Sequence, residues 1–421
     1  MQRWVKFSKY LPQFGWQPVI YTPENPETLA ADNSLADEIS PDTEVVRRRI
    51  TEPYRLYRRL LGNKSSKDGG SDEVNPVNSG KKTFMQKLSV FARGNFFIPD
   101  PRCMWIRPSV RFLKKYLRDN PVDLIVSTGP PHSMHLIGLK LSRATGLPWI
   151  ADFRDPWTKM FYFKHLNLSK WAARRHAELE RQVLDGASAV VAVSPPVQKD
   201  FAAMTSSRVE LVTNGFDETD FSDSPGEPDG FFNITHTGLF ASDGNPLVLW
   251  KALADKCRED GEFGERLRIR LAGKTDTEII SSIEEAGLGG RMTDCGYLPH
   301  KEAVREQRNA SLLILPLRRE PEYAAVLPGK LFEYIASGRP VLGIGQTDGA
   351  MASVLAAAGA GTVAEWEDEK AVSAYVSECW EKFKAGTLRT EARDTGRFSR
   401  RALAEGMAAI MDSLTEKQSQ K

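Results

Sequence analysis

Leu327-Pro328-Gly329-Lys330-Leu331-Phe332-Glu333-Tyr334-Ile335-Ala336-Ser337-Gly338 reads as one short helix with both ends specified, a Pro-Gly entry and an exit at Gly338. At about 100° per residue, Leu331, Phe332, Ile335 and Ala336 share one arc, and Lys330, Glu333, Tyr334 and Ser337 share the opposite one. The apolar arc requires a core. Ser311-Leu312-Leu313-Ile314-Leu315-Pro316-Leu317 precedes the helix and Arg339-Pro340-Val341-Leu342-Gly343-Ile344-Gly345 follows it, and both are near-continuous apolar runs of the kind that form buried parallel strands. The unit is therefore strand, loop, helix, strand, with the helix N-terminus at the carboxyl edge of a sheet, where open α/β folds bind ligands. Unpaired amides at the helix start, over Gly329, Lys330 and Leu331, the positive end of the helix dipole and the Lys330 side chain together make a phosphate seat. Glu333, one turn further, can accept hydrogen bonds from a pair of sugar hydroxyls.

The run PGKLFEYIASGRPVL resembles the carboxy-terminal donor site of nucleotide-sugar-dependent glycosyltransferases of the GT-B fold, specifically the retaining group called glycosyltransferase family 4. In that family a Glu-x7-Glu signature spans this helix and its second Glu grips the nucleotide ribose; Glu333 matches it. The first Glu belongs at position 325, which is Ala325 here, so that Glu320 or Glu322 would have to substitute from a shifted loop. The resemblance implies two Rossmann-like doubly wound domains facing across a cleft, with a nucleoside diphosphate sugar as substrate and no cofactor.

A chain of 421 residues is too long for one ordinary core and fits two domains of about 200 residues each. A net charge of +2 gives no reason to expect a nucleic acid partner. The four cysteines, Cys103, Cys257, Cys295 and Cys379, lie far apart, which points to a reducing cytoplasm rather than a zinc site or a disulfide framework. No apolar run approaches the ~20 residues of a membrane span and no signal-peptide pattern is read, so any membrane contact is expected to be peripheral.

Met1 to Leu11 is helical in pattern, with Trp4, Val5, Tyr10 and Leu11 on one side, and the strand Gln17-Pro18-Val19-Ile20-Tyr21-Thr22-Pro23 follows. A doubly wound domain normally opens with a strand and a Gly-rich turn, so the first strand of the N-terminal domain is expected to be missing. Residues 43–50 form a second strand. The basic, aromatic stretch at 54–61 and the amphipathic stretch at 84–93 flank a Gly- and Ser-rich loop at 63–82; they are either a membrane-surface or lipid-acceptor patch or helices packed on the domain. Val122 to Ser133 reads as strand, glycine turn and helix start, bringing Thr128, Gly129 and His132 to the sheet edge on the acceptor side. Leu147-Pro148-Trp149-Ile150-Ala151-Asp152-Phe153-Arg154-Asp155-Pro156-Trp157 sends a buried strand into a loop with two carboxylates and a guanidinium. Those charges must pair with one another or with a ligand. Family likeness favours Asp152, Asp155 and Arg154 as the candidate catalytic set, against a purely structural Arg154 ion pair.

Asn214-Gly215-Phe216-Asp217 is similar to the turn that closes the family's first domain, with Asn214 on the acceptor side, and residues 218–230 read as the linker. The expected domains are 1–222 and 223–397, with a helix and tail at 398–421 that in GT-B proteins often cross back onto the first domain. The second domain opens with a strand ending at Gly238. There the family carries an Arg and, a few residues on, a Lys for the diphosphate, whereas this chain has Leu239 and residues 243–245. Lys330, then Lys274, are the cations expected to meet the phosphates, and the strand-loop around Tyr297 is where the family clasps the base.

The expected activity is transfer of a hexose or related sugar from a nucleoside diphosphate sugar to a saccharide or lipid-linked saccharide hydroxyl, with charge on the departing diphosphate met by helix amides and Lys330 rather than a metal. Two other readings stay open: a nucleotide-sugar epimerase, which needs no acceptor, and a non-catalytic binding or scaffolding protein.

Overall fold

In the computed structural model, which describes residues 2–25, 39–50, 84–222, 229–390 and 394–419, strands and helices alternate and the paired strands run parallel. The stretch at 54–61, the loop at 63–82 and part of the linker at 218–230 lie outside these residues. Contacts group the chain into two compact units, Met1–Val212 with Ala404–Lys421, and Thr213–Leu403. The Asn214-Gly215-Phe216-Asp217 turn therefore falls with the second unit rather than closing the first. The reason is local pairing: Phe216 N donates to Phe398 O at 3.1 Å and Arg400 N to Phe216 O at 2.7 Å. A Cβ at Gly215 would collide with the Phe398 carbonyl, so the two segments touch at backbone distance.

The first unit begins with α1 (Gln2–Tyr10), β1 (Val19–Pro23) and β2 (Glu44–Arg48), followed by α2 (Phe84–Phe96) and α3 (Ile106–Asp119). Then come β3 (Ile125–Gly129), α4 (Ser133–Thr145), β4 (Trp149–Phe153), α5 (Lys170–Gly186), β5 (Ala189–Ala192), α6 (Pro195–Met204) and β6 (Arg208–Leu211). The main sheet has the order β3-β4-β5-β6, while β1 and β2 pair only with each other as a separate two-stranded sheet among the described residues. All five residues of β4 are buried, as its apolar sequence requires of a central parallel strand. α1 buries only half of the face read from its apolar residues, Tyr10 and the following Leu11. Trp4 and Val5 are half-buried, whereas Arg3, Lys6, Phe7 and Tyr10 are inside, because Arg3 is drawn onto Asp152 of β4.

The second unit runs β7 (Phe232–Thr237), α7 (Leu247–Glu259), α8 (Gly261–Arg266), β8 (Leu267–Ala272), α9 (Thr277–Glu285), β9 (Met292–Gly296), α10 (His300–Asn309) and β10 (Leu312–Pro316). It continues with α11 (Gly329–Ala336), β11 (Val341–Ile344), α12 (Ala350–Ala358), β12 (Gly361–Ala364) and α13 (Glu369–Lys384) before α14 (Arg400–Ser419). Its sheet has the order β12-β11-β10-β7-β8-β9. The chain builds outward from β7 through β8 to β9, then returns to lay β10 against the other edge of β7. That reversal is the switch point of a doubly wound sheet, beside whose carboxyl ends ligands bind. Leu312, Leu313, Ile314 and Leu315 of β10 are at most 1% exposed, and Leu331, Phe332 and Ile335 of α11 pack on the same core at 0 to 1%. Truncating any one of these to Ala would cost about 2–5 kcal/mol.

Candidate functional site

α11 starts after Pro328 and stops at Gly338, whose φ of +69° is the left-handed exit expected from its sequence. The two faces depart from the expectation at one residue. Tyr334 is fully buried rather than polar-facing, because its hydroxyl accepts from Thr237 N at 2.8 Å and so ties the helix to the end of β7. Burial holds the phenol firmly protonated. Leu331 is also fully inside, and its N–H already donates to Pro328 O at 3.0 Å, so this residue packs the helix instead of facing a ligand. The leading amides of Gly329 and Lys330 remain as the donors that a helix start leaves without an intrahelical partner.

Lys330 lies against the turn after β7. Its Nζ is 3.1 Å from His236 Nε2 and donates to Leu239 O at 3.3 Å. A Cβ on Gly238 would stand 3.3 Å from that Nζ, and Gly238 has a φ of +87°, so a glycine there admits both the turn and the amine. Burial, opposed by the Glu333 carboxylate, lowers the Lys330 pKa to about 8. His236 is buried, and burial together with the Lys330 charge keeps its ring neutral, able to accept from the ammonium. Glu333 is half-buried and is oriented by Gln307 of α10, whose amide donates to Glu333 Oε2 at 2.9 Å and to Thr237 Oγ1 at 3.1 Å. Gly238, Lys330 and Glu333 are thus assembled over the β7 end of the switch point. Lys274 and Tyr297 are not tied into this group. Lys274 is exposed, with only its carbonyl engaged by Phe240 N at 2.9 Å, and Tyr297 is 78% exposed. Ala325 ends the short 3-10 turn Pro321–Ala325, and Glu320, just before it, has a buried oxygen with no partner.

In the first unit, register sets Thr128 beside Asp152 and Gly129 beside Phe153 at the carboxyl ends of β3 and β4. Asp152 is wholly buried and its two oxygens accept from Arg3 Nε at 3.3 Å, Arg3 Nη2 at 3.1 Å, Trp4 Nε1 at 2.6 Å and Thr128 Oγ1 at 2.9 Å. This carboxylate is occupied with holding α1 to β4. Arg154 closes the neighbouring loop, its N–H donating to Gly129 O at 2.9 Å and its guanidinium to Pro130 O, while its buried Nε has no partner. Asp155 stands half-buried beside it, its pKa raised by burial against the pull of Arg154. His132, 4% exposed, lies flat on Trp157 with ring centroids 4.6 Å apart, and neither of its ring nitrogens has a hydrogen-bond partner. Burial, then His135, His176 and Arg154, push its pKa well down, so it is a neutral ring. Behind it His135 is buried on Phe153 at 4.3 Å, with Nδ1 2.9 Å from Ser127 Oγ and a pKa brought to about 3 by burial and Arg154. Thr128, Gly129, His132, Asp152, Arg154 and Asp155 are therefore gathered at one sheet edge; Asn214 groups with the second unit.

Sequence reasoning missed His236, Gln307, His135 and Asp100, which caps α4 by accepting from Ser133 N at 2.7 Å. Asp100 stands 33 residues ahead of Ser133, so its capping of α4 leaves no local signal in the sequence. Among the described residues, no three His, Cys, Asp or Glu side chains gather as a metal-binding set.

Two units, each a parallel α/β sheet, with polar groups collected at the carboxyl edges, have the architecture of GT-B proteins. Residues 87–215 match the family model described as a glycosyl transferase 4-like domain. Sucrose-phosphate synthase from Thermosynechococcus elongatus superposes with a TM-score of 0.63 at 16% identity, over 98% of this chain and 92% of that one. An α,α-trehalose-phosphate synthase (UDP-forming) from Burkholderia vietnamiensis does so at 0.57 and 11%, over 96% and 100% of the chains. WaaG, a glycosyltransferase involved in lipopolysaccharide biosynthesis, matches at 0.52 and 13%, over 99% and 94%. At these identities the likeness is one of fold. No curated protein sequence matches the chain.

Proposed function

We propose that the protein transfers a hexose or related sugar from a nucleoside diphosphate sugar to an acceptor hydroxyl. The observation that carries this is the assembly of Gly238, Lys330 and Glu333 at the switch point of the second unit, with Lys330 supported by neutral His236 and Glu333 by Gln307. In this reading the diphosphate sits on the Gly329 and Lys330 amides and the Lys330 ammonium, and Glu333 takes the ribose hydroxyls. As the sugar–phosphate bond breaks, negative charge grows on the departing diphosphate, and donors already aimed there stabilise it without reorganising. Lys274 and Tyr297 would join only through movement of their exposed side chains. The acceptor falls to the edge of the first unit at Thr128, Gly129, Arg154 and Asp155, with His132 packed on Trp157 beneath it; Asp152 positions this edge rather than touching the acceptor. We extend the proposal to retention at the anomeric carbon, to a saccharide or lipid-linked saccharide acceptor in cell-envelope or exopolysaccharide synthesis, and to a cytoplasmic location with peripheral membrane contact, all on the family resemblance.

The test is calorimetric titration of the whole chain with a panel of nucleoside diphosphates and their sugars, beside Glu333→Ala. Loss of charged hydrogen bonds should weaken the preferred donor by about 1–3 kcal/mol, roughly 5- to 150-fold. An unchanged dissociation constant removes Glu333 from the site. Ala325 and the 57% exposed Leu239, standing where the family has a Glu and an Arg, favour a second reading in which nucleotide sugar is bound but not turned over. Product analysis with and without acceptor separates transfer, epimerisation and mere binding.

A further inference from the structure

We infer that the donor diphosphate is captured together with a proton, taken up by the Lys330–His236 pair, and that His236 is the positioning residue that sets the pH range of capture. The inference rests on the donor site proposed above and goes beyond it, because it gives that site a charge state that changes on binding. Lys330 Nζ has two neutral partners, His236 Nε2 at 3.1 Å and Leu239 O at 3.3 Å, and among the described residues no carboxylate pairs with it. Glu333, the carboxylate on its own helix, is held by Gln307 instead. The remaining groups about the pair, Thr237, Gln307 and the protonated Tyr334, are neutral, and Lys274 at the end of β8 is exposed.

For Nζ to donate to Nε2, His236 must carry its own hydrogen on Nδ1, and Nδ1 is buried with no acceptor. The ring, fixed against Phe240 with centroids 4.2 Å apart, therefore supports the ammonium only by orphaning an N–H of its own. An ammonium so placed, with no anion in contact, holds its proton weakly, in line with a pKa of about 8. A diphosphate supplies the missing anion. One proton then enters from solvent, the pair passes from neutral to singly positive, and no covalent bond other than an N–H changes. Above a pH of about 8 the free pair is largely neutral, so capture of the anion draws the proton in with it. Without the imidazole, Nζ would keep Leu239 O alone and the proton would be held more weakly still.

The experiment is titration calorimetry of the full chain with the common nucleoside diphosphates at a pH of about 8.5, repeated in buffers of different ionisation enthalpy, which reads the protons taken up per ligand bound. A terminal phosphate, with a second pKa of about 6, is fully ionised there and contributes none. Uptake of roughly half a proton or more is expected. Lys330→Arg, whose charge is permanent, should bind with no uptake. In His236→Leu the break in the dependence of affinity on pH should move down by about one unit, because a hydrogen bond to a charged group is lost. His236→Gln, whose amide oxygen can stand near the Nε2 position, should return most of that shift, and circular dichroism establishes that both variants fold. Binding without proton uptake overturns the inference and leaves the donor site standing. So does uptake that persists in Lys330→Arg, or a break that stays in place in folded His236→Leu. Failure of every nucleoside diphosphate to bind overturns the donor reading itself, and the inference with it.

Discussion

Asp152→Asn separates two roles that a buried carboxylate near a sheet edge can have. Asp152 is wholly buried and its two oxygens receive four donated hydrogen bonds, two of them from Arg3, itself 3% exposed. The substitution removes the charge and turns an amide donor towards Arg3, Trp4 or Thr128. Arg3 then keeps a buried guanidinium, with Val212 O at 2.8 Å still accepting, but loses the charge of this carboxylate. Breaking a buried pair in this way costs about 3–5 kcal/mol, a large part of the ~5–15 kcal/mol that holds a domain folded. At about 2–4 °C per kcal/mol for a unit of this size, melting should fall by roughly 6–20 °C. The assay is thermal and urea unfolding, with nucleotide affinity measured in parallel and expected to hold, since Asp152 belongs to the first unit. Replacing both partners, Arg3→Met with Asp152→Leu, should recover only part of the loss, because an apolar pair needs no neutralisation but Trp4 Nε1 and Thr128 Oγ1 lose their acceptor. A melting point within a degree or two of the wild type, with turnover gone, would refute the reasoning and return Asp152 to the reacting groups.

Other outcomes follow from the same contacts. Lys330 is charged below its pKa of about 8, so donor affinity should be highest below that pH and fall about tenfold per unit above it, while Lys330→Met gives weak binding that is flat with pH; titration calorimetry from pH 7 to 10 reads both. A Cβ at Gly273, where φ is +140°, would strike the Gly238 carbonyl, so Gly273→Ala should destabilise by about 1–3 kcal/mol in urea and weaken donor binding with it. His135 has a folded pKa of about 3 against an ordinary value of 6.5, so the stability it contributes is complete above 6.5 and is lost as pH falls toward 3. By pH 5 its share of the loss amounts to about 2 kcal/mol, and His135→Gln should remove that share of the pH dependence of unfolding between 6.5 and 5, leaving those of His132 and His236.

The organising helix was legible because its signals are local: a proline entry, a left-handed glycine exit and a three-four spacing of Leu331, Phe332 and Ile335. The same wheel misplaced Tyr334, since a phenol is polar at one atom only and that atom found Thr237 N inside the core. Asp152 was legible as a charge needing a partner, but not which one. Arg3 stands 149 residues away, and pairing across such a separation leaves no trace in spacing. For the same reason His236 and Gln307 escaped notice. They act on Lys330 and Glu333 only because β7 and α10 are brought beside α11 by the strand order, and neither belongs to a motif. The face of α1 held at Tyr10 and Leu11 but failed at its start through the opposite assumption, that polar residues stay outside, which the buried Arg3 ion pair reverses.

The grouping of residues 404–421 with the first unit has a consequence for how the chain is made. The second unit is one uninterrupted length, from Thr213 to Leu403, and can close on itself as soon as it is synthesised. The first unit, although almost all of it emerges earlier, is finished only when its last helix arrives. The usual rule that the amino-terminal domain is completed first is inverted here. Until that helix emerges, the apolar surface awaiting Ala404, Met407 and Ala408 stays uncovered, and a nascent chain stalled near residue 403 would pair a completed second unit with an unfinished first.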